Sequence, residues 1–135
     1  MSEPRTVRGG CACGAVVFEV PDEFAYALIC HCSKCRRRTG SAFKPFGGIP
    51  VGAVRVTEGE GHLQRFGDGI DHDLSCGTCG SLLWSVVRDG EWAHVAYGTL
   101  IDAPSRAPGA HIHTASRAPW ETICDDLPQF ETLPA

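Results

Sequence analysis

The chain has 135 residues, 43% apolar and 21% charged, with a formal charge of −4 and a pI near 5.8. That length supports one buried core rather than two, and a net negative chain lacks the Lys and Arg excess with which nucleic-acid binders neutralise phosphates. No stretch approaches the roughly 18 apolar residues needed to cross a bilayer, and the opening MSEPRTVRGG has no apolar run. A single domain over 1–135 is therefore expected, its core at about 7–131, with a cytoplasmic location, no membrane association and no nucleic-acid partner. The oligomeric state is not legible in the sequence.

In chain order, the first element is the pair Cys11 and Cys13 followed by Gly14. In an extended strand residues i and i+2 share a face, so both sulfurs can address one ion, with Gly14 permitting a bend. Strands are predicted at 15–20 and 26–30, where β-branched and aromatic residues collect between Gly, Pro and Asp. The segment Ser33–Thr39 reads as a helix of about two turns, capped by Ser33 and ended by Gly40 in a left-handed conformation. Further strands are predicted at 53–57, 62–66, 70–75, 81–88, 91–97 and 110–114. Asp89-Gly90 suits the positive φ angles of a two-residue type I′ turn between 82–88 and 91–97, where Trp84 and Trp92 read as core. The stretch APSRAPG, 103–109, reads as a surface loop because its prolines withhold backbone donors, and the tail from Leu127 is expected to be held by Leu127 and Phe130. The class is mainly β, with one short helix after the second cysteine cluster.

Seven of the eight cysteines fall in three clusters: Cys11 and Cys13; Cys30, Cys32 and Cys35; Cys76 and Cys79. In a reducing compartment such spacing points to metal or catalysis rather than disulfides. Zinc takes four thiolate or imidazole ligands in a closed structural site and keeps one position open in a catalytic site. A C-x-C with a distant C-x-x-C supplies four sulfurs, so Cys11, Cys13, Cys76 and Cys79 are the expected structural zinc ligands. Cys30, Cys32 and Cys35 supply three, leaving a position for water or a substrate atom. This trio is the candidate catalytic zinc site, giving two zinc ions per chain. The competing reading is a second closed site completed by Cys124, His31 or another histidine. His31 in a strand would point away from its flanking cysteines, while His111 and His113 would share a strand face and line a pocket. Lys34, Arg36, Arg37 and Arg38 set four cations beside the trio, and Arg36, Arg37 and Arg38 are the candidate substrate-binding residues. The bland alternative is a solvated helix face.

The strings GCACGAV from Gly10, CHCSKCRRRTGSAF from Cys30, CGTCGSLL from Cys76 and GTLIDAP from Gly98, with His111 and Trp120 later, resemble the glutathione-dependent formaldehyde-activating enzyme family, whose zinc domain also occurs in a centromere-associated protein. The resemblance covers nearly the whole chain. It implies the β-tent fold, a largely antiparallel β structure with zinc-bearing knuckles, and the same division of cysteines. It further implies a zinc-dependent carbon–sulfur lyase-type activity in which glutathione adds to formaldehyde to give S-hydroxymethylglutathione, so the expected partners are a small thiol and a small aldehyde. The alternative is a zinc-stabilised module that binds glutathione, another thiol or a protein without turnover.

Overall fold

A computed structural model describes residues 4–134. Among these residues ten strands form two sheets, with one α-helix. The smaller sheet joins β1 (Thr6–Gly10), β2 (Val17–Pro21) and β5 (Arg55–Glu58) in the order β1-β2-β5. The larger contains β3 (Tyr26–Cys30), β4 (Lys44–Pro50), β6 (Leu63–Phe66), β7 (His72–Cys76), β8 (Leu82–Val87), β9 (Trp92–Ala96) and β10 (His111–Ile112), ordered β10-β3-β4-β9-β8-β7-β6. Neighbouring strands are antiparallel except β10, which runs parallel to β3. The expected mainly β, tent-like class stands. No helix among the described residues is long and apolar enough to cross a membrane.

The sheets close on a core that includes Val7, Phe18, Val20, Ile49, Leu83, Trp84 and Val95. Burial of a side chain of this size contributes about 1.5–3 kcal/mol, and Phe18 meets Trp84 edge to face at 5.4 Å. A bulge between β7 and β8, where Leu74 pairs Trp84 and Ser75 pairs Leu82, inserts Leu83 as an extra residue. Leu83 and Trp84 are thus both in the core, and Leu82 is freed to line a cavity on the other face.

Two strands lie outside the sequence expectations. TVRGG forms β1, and KPFGGIP forms β4, an interior strand of the large sheet between β3 and β9. Gly and Pro ordinarily argue against a central strand, yet here the glycines make room for rings. A Cβ on Gly48 would lie 2.1 Å from Tyr26 Cζ, and one on Gly47 would lie 2.5 Å from atoms of Phe24 and Tyr97.

Other expectations shift by a residue or two at the strand ends. The helix α1 (Ser33–Thr39) has the expected bounds and ends on left-handed Gly40 at φ 64°, but its cap is Cys32, whose sulfur accepts from the Cys35 N–H, rather than Ser33. Asp89 and Gly90 have φ of 60° and 81°, and the Glu91 N–H donates to Arg88 O, as the predicted turn requires. His111 and His113 do not share a strand face, because His113 is left-handed at φ 55° and ends the strand. The tail is held by backbone pairing as well as by side chains: the His111 N–H donates to Pro128 O and the Phe130 N–H to His111 O.

Candidate metal centres and the adjoining cavity

The sulfurs of Cys11, Cys13, Cys76 and Cys79 lie within 4.8 Å of one another, as do those of Cys30, Cys32 and Cys35. Cys11 and Cys13 sit in a turn rather than the expected strand: the Gly14 N–H donates to Cys11 O, and Gly14 has φ 79°. Cys76 ends β7, and the chain reverses before β8 with the Gly80 N–H on Cys76 O and Gly80 at φ 82°. Two tight turns, one from each sheet, thus bring four sulfurs together. Thiolates around a tetrahedral zinc at about 2.3 Å stand about 3.8 Å apart. The separations here, 3.6 Å for Cys11 to Cys13 and 3.8 Å for Cys13 to Cys76, fit that requirement. The Ser81 hydroxyl against Cys79 Sγ, the largest influence on it, helps lower that thiol to about 5.

The second group is assembled by β3 and α1. Cys30 ends the strand, Cys32 caps the helix and Cys35 returns from its first turn. A hydrogen bond from Cys35 lowers the Cys30 thiol, and the same bond, followed by burial, pushes Cys35 up. Three sulfurs this close cannot all ionise without a cation, so the donor set fits a thiophilic metal ion. No fourth His, Cys, Asp or Glu among the described residues joins them. Cys124 is exposed, with its sulfur toward Thr122 O. His31 points into the protein, its Nε2 2.8 Å from His111 Nδ1.

The trio borders a cavity of about 420 Å³ whose lining includes Cys32, Cys35, Lys34, Arg37 and Arg38. Arg36 does not line it. The rest of the wall comes from residues that sequence reasoning did not connect: Lys44, Asp73, Leu82, Ser85, Val87 and His94. Their assembly follows from strand register. Tyr26, Gly48, His94, Ser85 and Asp73 pair successively across β3, β4, β9, β8 and β7, so their side-chain positions share one level and one face. Because Gly48 has no side chain, the Tyr26 hydroxyl reaches His94 Nε2 at 2.7 Å.

Lys44, 6% exposed, donates from Nζ to Ser85 Oγ at 2.9 Å. Ser85 donates to Asp73 Oδ1, and Arg38 holds Asp73 Oδ2 at 2.7 Å. Burial lowers Lys44. His94 stacks on Phe46 at 4.2 Å and is lowered to about 4, first by burial and then by the charges of Lys44 and Arg88. The cavity therefore combines two sulfurs of the trio, a neutral imidazole and four cations, of which Lys44 and Arg38 are held by partners, around a single carboxylate. No local spacing in the sequence marks Lys44, Asp73, Ser85 or His94; they became neighbours through strand pairing.

A family model described as glutathione-dependent formaldehyde-activating enzyme matches residues 6–116. A Halomonas elongata protein, provisionally named as such an enzyme, is 28% identical over 116 residues, spanning 79% of this chain and 73% of that protein. The crystal structure of a Rhodobacter sphaeroides protein matches with a TM-score of 0.60 and 29% identity, over 75% of this chain and 97% of that one.

Proposed function

The chain belongs to the glutathione-dependent formaldehyde-activating enzyme family, and on that footing we propose that it joins a small thiol, first of all glutathione, to formaldehyde or a related small aldehyde. The reaction is of the carbon–sulfur lyase type, read in the direction of addition. One observation carries the reading: a sulfur trio with no fourth protein ligand among the described residues opens onto a cation-lined cavity. In this reading Cys30, Cys32 and Cys35 hold zinc, while Cys11, Cys13, Cys76 and Cys79 hold a second zinc that serves the fold. Zinc with an open position supplies a place where a thiol sulfur is held deprotonated.

The chain's own residues do the rest. As the thiol sulfur bonds to the aldehyde carbon, the C=O π pair moves onto oxygen, which then takes a proton. Lys44, fixed by Ser85 beside the trio, is the donor suited to that developing charge, and burial strengthens its effect. Arg37 and Lys34 are placed to bind substrate carboxylates. Arg38, tied to Asp73, keeps the wall of the cavity in position. Neutral His94, fixed by Tyr26, offers a further polar contact without added charge.

The test combines metal analysis with observation of the product. Two zinc ions per chain, and a purified protein that accelerates S-hydroxymethylglutathione formation by exchange NMR above the uncatalysed rate, are expected. A protein with both zinc ions that binds glutathione without acceleration would instead be a binding module.

A further inference from the structure

We propose that Asp125, His111 and His31 form a hydrogen-bonded positioning relay that holds the Cys30 trio from behind, through the residue lying between two of its cysteines. His31 is fully buried and His111 is 3% exposed. His31 Nε2 lies 2.8 Å from His111 Nδ1, and His111 Nε2 lies 2.9 Å and 3.1 Å from the two oxygens of Asp125. The carboxylate is itself oriented, since the Leu127 N–H donates to its Oδ1 at 3.0 Å.

The order of donors follows from the chemistry of the three groups. A carboxylate only accepts, so His111 must carry its proton on Nε2. With that proton on Nε2, the ring presents its lone pair at Nδ1, which His31 meets with an Nε2–H. His31 is left with a bare Nδ1, and that atom is buried with no hydrogen-bond partner. One exposed carboxylate thus sets the tautomer and orientation of two buried rings. Backbone bonds reinforce the same junction: the Ile29 N–H donates to Ala110 O and the His31 N–H to Ile112 O. The ring of His31 also packs against Phe43 at 5.4 Å.

The consequence falls on the metal ligands. Cys30 and Cys32 flank His31, so the angle between their sulfurs depends on how firmly that residue is held. Partners beyond the ligands of a metal site commonly change metal affinity by about 10–100-fold. Asp125 lies beyond the span matched by the family model, which ends at residue 116. His31 and His111 lie inside that span, so the segment that follows it supplies the carboxylate of the relay.

This inference rests on the trio holding zinc, and the experiment separates the two. In the zinc-loaded full-length protein, long-range ¹⁵N NMR should show both His31 and His111 with the proton on Nε2. In Asp125→Ala, zinc release from the trio to a chelator should speed up about 10-fold or more, His111 should lose its single tautomer, and release from the quartet should be unchanged. Asp125→Asn, which keeps a carbonyl oxygen acceptor, should return release to within about threefold of the parent, a small part of the loss expected when an outer partner is removed. His31 protonated on Nδ1 in the parent protein overturns the relay, as does unchanged zinc release in Asp125→Ala, or Asp125→Asn behaving no better than Asp125→Ala. One zinc per chain instead overturns the metal reading of the trio, and the NMR tautomers then decide the relay alone.

Discussion

In the proposed reaction, Lys44 is the residue on which the chemistry turns. An ammonium group only 6% exposed is costly unless it is partnered, and here its fixed partner is a hydroxyl rather than a carboxylate. Replacing it with methionine keeps the stem and removes the charge. Lys44→Met should lower turnover about 100-fold, the usual scale for removing one donor to a developing oxyanion, with zinc content and unfolding temperature close to the parent. A rate within twofold of the parent would remove Lys44 from the mechanism. His94 supports a second expectation. Its folded value of about 4 lies below the ordinary 6.5, so between those limits the unfolded chain binds the proton more readily than the folded one. Stability from this group is present above pH 6.5 and is lost as pH falls toward 4. Thermal melts across that window should show the decline, and His94→Gln should flatten it.

At the scale of elements, the sequence revealed what depends on local chemistry and concealed what depends on pairing. The two cysteine groups were legible because sulfur spacing is local, and α1 because Gly40 announces its end. β4 was concealed because KPFGGIP reads as a loop on composition, whereas its glycines answer to rings on β3 and beyond that no local pattern reveals. Lys44, Asp73, Ser85 and His94 were missed for the same reason, since register, not spacing, makes them neighbours. The open trio was legible; the wall it faces was not. Gly48→Ala should therefore destabilise the fold by about 1–3 kcal/mol, the range for overpacking, measured by urea unfolding. Combined with Tyr26→Ala the added cost should disappear, because the clash is with that ring. A penalty independent of residue 26 would place the strain elsewhere in the sheet.

For the whole molecule, the quartet, holding the zinc proposed for it, would clamp the two sheets together. Cys11 and Cys13 follow β1 of the smaller sheet, while Cys76 and Cys79 join β7 to β8 of the larger. Structural zinc contributes about 10–16 kcal/mol in small peptides, as much as the entire net stability of a typical domain, about 5–15 kcal/mol. Cys79→Ser should accordingly give protein that is unfolded or insoluble at 25 °C, judged by far-ultraviolet circular dichroism and solubility. Cys35→Ser should leave a folded protein with one zinc fewer. If both variants melted like the parent, the division of labour between quartet and trio would be wrong.

The parallel strand β10 borders the large sheet with only two residues, and the chain beyond it lies alongside, with the N–H groups of His111 and His113 satisfied by Pro128 and Thr132. That segment shields a margin which would otherwise present unpaired amides to other molecules, a recognised route to strand-to-strand association. Trimming the protein before Pro128 would thus convert a sealed border into an adhesive one, and light scattering should detect dimers and larger species where the intact chain shows none formed this way.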